Sequence, residues 1–134
     1  MKTKTIKQVV LFKASPEALY DLLMSSKKHA GFTKHKAKMS SSIGGSFSAY
    51  NGYITGKNMT LEPGKKIVQS WRGSDWPKGH YSRVTFKFMK VASGTKLIFS
   101  QSDVPIEQYQ AVKDGWKESY WDKLKKYLTA KSKK

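Results

Sequence analysis

At 134 residues, 38% of them hydrophobic and 13% aromatic, the chain has the length and apolar content for one domain, 1–134, with a real core. It has no cysteine, which excludes disulfides, thiolate catalysis and thiolate metal sites. Its formal charge of +17 favours anionic partners, yet only Arg72 and Arg83 are arginine and lysine recurs in almost every segment.

Solvated lysines are therefore the better reading of the charge, and nonspecific nucleic-acid binding through a lysine-rich surface is the weakest alternative. The N-terminal apolar run from Ile6 to Phe12 is broken by Lys7 and Gln8. It is too short and too polar for a signal peptide, and no stretch has the length and apolarity of a membrane span. A cytoplasmic location is the expectation.

Thr3 to Lys13, rich in Ile, Val, Leu and Phe, predicts a first strand. Ser15-Pro16-Glu17 then supplies an N-cap, a proline at the first helical position and an acidic first turn. The helix that follows carries Leu19, Tyr20, Leu22 and Leu23 to about Ser25. Ser26 to Lys36 predicts a second short helix or an irregular crossing, and Lys36 to Ser42 is too polar to assign.

From Gly44 the period changes to two. Ile67, Gln69 and Trp71 alternate with Val68, Ser70 and Arg72, and Val84, Phe86 and Phe88 alternate with Arg83, Thr85 and Lys87. Ser93-Gly94 predicts a turn into a last strand containing Leu97, Ile98 and Phe99, which leaves the sheet at Asp103-Val104-Pro105. A C-terminal helix follows, with Val112, Trp116, Tyr120, Leu124 and Leu128 on one face, widened by Trp121 and Tyr127. A disordered tail is expected over about residues 130–134.

Catalytic groups are scarce. His29, His35 and His80 match no metal-ligand spacing, and His29 and His35, flanking one loop, lack a nearby carboxylate. Glu17, Asp21, Asp114, Glu118 and Asp122 suit helix solubility and dipole complementarity. Gly44-Gly45 precedes a strand and is neither a dinucleotide fingerprint nor a P-loop. No enzymatic activity, catalytic residue, metal or cofactor is expected. What the chain has in surplus is aromatic rings: Phe47, Trp71, Phe86, Phe88 and Phe99 on the sheet, Trp116 and Tyr120 on the final helix. At these periodic positions such rings either pack solid or line a cavity of about 300–1,000 Å³ able to hold a small apolar molecule.

The chain also resembles a known family. Gly44-Gly45 with Phe47, Gly56, Leu61-Glu62-Pro63, Ile67-Val68 with Trp71-Arg72, Trp76-Pro77, Gly94-Thr95 with Leu97, and Gly115-Trp116 occur in the order found in activators of the heat-shock protein 90 ATPase, a branch of the START-like, helix-grip superfamily. The match runs from about Ile6 to Leu128. It implies an α+β fold: a strand, two short helices, a curved antiparallel sheet, and a long C-terminal helix in its concave face. It implies two jobs, a ligand cavity as in START-like relatives that bind sterols, lipids or polyketides, and contact with a heat-shock protein 90-type chaperone in the stress response. The resemblance carries no catalytic residue. The chain shows no counterpart of the docking domain that precedes this one in the eukaryotic co-chaperone. A binding module is therefore the first expectation and ATPase stimulation the second.

Overall fold

In a computed structural model, which describes residues 1–132, the first strand β1 spans Thr3–Phe12. Helices α1 (Pro16–Met24) and α2 (Ser26–Thr33) follow. A meander of five strands comes next: β2 (Ser46–Ala49), β3 (Ile54–Glu62), β4 (Lys66–Gly73), β5 (Ser82–Val91) and β6 (Gly94–Pro105). The start of α1 is built as its sequence dictates: Ser15 accepts a hydrogen bond from Ala18 N at 3.1 Å, with Pro16 in the first turn. Lys34, left-handed at φ 65°, stops α2.

The six strands form one antiparallel sheet in the order β1-β6-β5-β4-β3-β2. Helices α1 and α2 thus carry the chain from one edge of the sheet to the other. The register shifts between Lys4 and Ile6 and between Asn58 and Thr60; such irregularities bend a sheet. Gly56 allows β3 and β4 to approach, because a Cβ there would stand 1.8 Å from the Ser70 carbonyl oxygen. The last strand leaves the sheet within Asp103-Val104-Pro105 as expected: Val104 and Pro105 still pair with Lys4 and Thr3, and β6 ends at Pro105. One expectation needs correction. The expected tail is helical through Ser132; Lys133 and Lys134 lie outside the described residues.

After a short 3₁₀ turn (Ile106–Gln108), the C-terminal helix crosses the concave face in three parts: α3 (Tyr109–Trp116), a π-helical turn (Lys117–Trp121) and α4 (Asp122–Ser132). Its apolar stripe repeats every fourth residue. In a 3.6-residue helix such a stripe drifts about 40° per step, and the wider π turn, with i→i+5 bonds, swings it back over the sheet. Trp116, Tyr120, Trp121 and Leu124 are all buried there. This is the α+β helix-grip architecture that the resemblance implies.

Candidate functional site

The aromatic rings meet, and they interdigitate. Trp116 lies 4.4 Å from Phe99, 4.6 Å from Tyr120, 5.6 Å from Trp71 and 5.8 Å from Phe86 between ring centroids. Its indole N–H donates to Gln101 Oε1 at 2.7 Å; Gln101 Nε2 donates to Ser82 Oγ at 2.9 Å, and Ser82 donates to the Trp71 carbonyl at 2.7 Å. All of these polar groups are buried, so the network ties the helix to three strands. Between sheet and helix the remaining void is about 20 Å³, the space of one water molecule. Phe47, Trp71, Phe86, Trp116 and Tyr120 border it. Phe88 lies elsewhere, edge-on to Tyr20 of α1 at 5.9 Å. The large interior cavity expected beneath the helix is thus filled by its own lining.

An opening exists one step outward, at the end of the helix stripe. A cleft of about 310 Å³ is bounded by Trp71, Trp116 and Tyr120 below, by Val112, Gly115 and Ser119 on the helix, and by His35, Tyr50, Asn51, Tyr53 and Ile54 on the far wall. Three of the seven rings expected to line a cavity are therefore present: Trp71, Trp116 and Tyr120. Phe47, Phe86, Phe88 and Phe99 do not border this cleft.

Gly115 explains why the cleft stays open. It sits inside a helix, where glycine costs roughly 0.5–1 kcal/mol relative to alanine, and a Cβ built on it would meet no atom within 4 Å. No close packing demands a glycine there; any side chain would project into the cleft.

The far wall comes from the β2–β3 connection. Tyr50, Asn51 and Gly52 are successively left-handed, with φ of 51°, 59° and 91°. Asparagine and glycine tolerate that region; tyrosine does so at a cost of about 1–2 kcal/mol. The strained turn seats the Tyr50 hydroxyl on the Ser119 carbonyl within the π turn and its ring 5.7 Å from Tyr120. His35 packs on the other side of Tyr50 at 4.8 Å, and Asn51 Nδ2 meets His35 Nδ1 at 3.0 Å. Tyr53 donates to Asp75 at 2.6 Å; burial first, then this carboxylate, pushes its hydroxyl up to about 12. Burial also raises Tyr50, with the Ser119 hydrogen bond opposing, and raises Tyr120 strongly. At neutral pH these tyrosines keep their protons.

Sequence reasoning missed this wall. Asn51-Gly52 is a turn signal, but nothing in the periodicity shows which rings the turn delivers. His29 lies in α2, the second short helix expected there, is 2% exposed, and makes a 3.0 Å hydrogen bond from Nε2 with the Tyr120 hydroxyl, while its Nδ1 has no partner. Burial lowers its pKa to about 4, so it is neutral. Among the described residues no three His, Cys, Asp or Glu side chains gather as a metal site.

The motif residues are structural in different ways. Gly44 adopts φ 82°, and a Cβ on Gly45 would stand 1.9 Å from Ser40 Oγ. Trp76 is buried 5.4 Å from Trp71, its carbonyl accepts from Arg72 at 2.9 Å, and Pro77 is exposed beside it. Among the described residues no helix is long and apolar enough to cross a membrane.

Known proteins share this fold. The fold is that of an HSP90 activator from Plasmodium falciparum, with a TM-score of 0.83, 24% identity, and coverage of 95% of this chain and 96% of that one. A protein from Mesorhizobium loti matches with a TM-score of 0.80 at 21% identity over 95% of this chain and 98% of the other. In sequence, the chain is 37% identical over 98% of its length to an activator of 90 kDa heat shock protein ATPase homolog from Dictyostelium discoideum, and 30% identical over 90% to the human activator homolog 1. It spans 34% and 35% of those two proteins, about a third of each. The model of the family described as "Activator of Hsp90 ATPase homolog 1-like protein" matches residues 13–129, and the chain belongs to that family.

Proposed function

We propose that this domain is a non-enzymatic, cytoplasmic binding module whose cleft beside Gly115 takes a small, mainly apolar molecule. The observation that carries the reading is the helix glycine whose missing side chain leaves about 310 Å³ open over Trp71, Trp116 and Tyr120. That volume sits at the lower end of small-molecule sites, which are apolar with a few polar groups fixing orientation. Here the polar groups are His35, Asn51 and the tyrosine hydroxyls. No acid–base pair faces the cleft: His29 is walled in and neutral, and Tyr53 and Tyr120 hold their protons well above neutrality. The experiment is an aromatic ¹³C–¹H correlation titration with neutral naphthalene-sized compounds. Saturable shifts confined to Trp71, Trp116, Tyr50 and Tyr120 support the reading; shifts scattered over surface tyrosines refute it.

A second reading rests on the relatives named as activators of the heat shock protein 90 ATPase. This domain, about a third of such proteins, would contact the chaperone, with its lysines speeding encounter with an acidic partner. Assayed as this domain alone, it gains no effective concentration from a tethered second docking site. Weak binding and little stimulation at micromolar protein are expected in a chaperone ATP-turnover assay; a several-fold, salt-resistant stimulation would promote this reading to first place.

A further inference from the structure

Strand β1 ends the sheet, and its outer edge is unpaired along a strand of ten residues. An edge of this length is a template for another strand. Its outward-facing side chains Val9 and Leu11 are 61% and 58% exposed. Across the sheet Leu11 pairs with Lys96, which pairs with Met89, itself half exposed. Apolar and cationic positions thus alternate on one surface. Where β1 runs out, a groove of about 380 Å³ opens between the strand and α4, walled by Leu11 and Leu128 and rimmed by Lys13 and Lys125. The edge, the exposed apolar pair and the lysine-rimmed groove are continuous.

We propose that the free edge of β1 takes up an extended, acidic segment of a partner protein as a seventh strand, with an apolar side chain of that segment in the groove. Backbone hydrogen bonds along the edge supply affinity and alternate side chains supply specificity. Carboxylates flanking the apolar side chain face Lys13 and Lys125. A second copy of this chain is a poorer fit than an acidic segment, because pairing two β1 edges brings together two chains that each carry a formal charge of +17. A lipid surface has no use for a row of backbone donors and acceptors.

The probe is a fluorescein-labelled nonapeptide of alternating glutamate and valine, followed by anisotropy at 50 and 200 mM salt. Saturable binding is expected. Leu11→Glu and Lys125→Glu, both exposed positions, should each weaken it at least fivefold. Lys57→Glu makes the same charge change at an exposed site on β3 and should leave affinity within twofold. The same peptide N-methylated at every residue keeps its side-chain charge but donates no backbone hydrogen bond from either edge, and should not bind. Gly115→Leu should leave peptide binding intact, which separates this surface from the cleft. No binding of the parent peptide, equal binding of the N-methylated one, or equal losses in Lys57→Glu and Lys125→Glu would overturn the proposal. Phosphatidylserine vesicles captured through Leu11 and Lys125 while the peptide is ignored would replace it with a membrane role.

Discussion

Replacing Trp116 with alanine tests the heart of the packing. The ring is 3% exposed and meets Trp71, Phe86, Phe99, Tyr120 and Trp121, so its loss leaves a cavity in a region whose present void is about 20 Å³. Truncations of this kind cost about 3–5 kcal/mol. The Gln101 carbonyl also loses its indole donor at 2.7 Å, and a buried acceptor left unpaired costs about 1–3 kcal/mol more unless water enters. A loss of about 4 kcal/mol, at an m-value of about 2 kcal/mol per molar, lowers the urea midpoint by about 2 M. Trp116→Phe, which keeps a ring and loses the N–H, should fall between wild type and Trp116→Ala. Lys117→Ala, one residue along on the exposed face, should keep a wild-type midpoint. Equal midpoints for Trp116→Ala and Lys117→Ala, at unchanged m, would show that this face does not grip the sheet.

His29 gives a pH signature. Its pKa falls from 6.5 to about 4 on folding, so the unfolded chain takes up the proton first and stability declines from about pH 6.5 to about pH 4, then levels. The decline is roughly 3 kcal/mol at one pKa unit per 1.36 kcal/mol, and His29→Phe should remove that component in urea titrations run at stepped pH; an unchanged pH profile contradicts the burial argument. Gly56→Ala should destabilise by several kcal/mol, through backbone collision with Ser70, and hydrogen exchange should accelerate across β3 and β4. DNA binding, from a charge of +17 with two arginines, should be weak, blind to sequence and steeply reduced between 50 and 200 mM salt. Tight, sequence-discriminating binding that survives high salt would point to a nucleic-acid role.

Much of the scaffold was legible because it obeys simple periods. Ser15-Pro16-Glu17 marked the helix start, and alternation in Val84-Thr85-Phe86-Lys87-Phe88 marked a strand, since both signals act within a few residues. The stripe at every fourth position marked the long helix and, in hindsight, its π turn. The cleft was less legible for a physical reason. Burial patterns identify which rings face inward but not whether their shapes fill the space, and Phe86 and Phe99 close the interior that sequence left open. The cleft depends on an absent side chain at Gly115 and on a left-handed turn at Tyr50 and Asn51, neither of which leaves a periodic trace. The burial of His29 was not legible, because a lone histidine in a short polar helix carries no sign that its ring packs against Tyr120.

The most direct measurement compares wild type and Gly115→Leu by fluorescence titration with N-phenyl-1-naphthylamine, a neutral apolar probe. Because a side chain at position 115 meets open space, the variant should be as stable as wild type or more stable by about 0.5–1 kcal/mol. It should nevertheless lose probe affinity by at least tenfold, because the new side chain occupies the cleft. Undiminished affinity in a folded Gly115→Leu protein would show that the cleft over Trp71, Trp116 and Tyr120 is not where this domain binds.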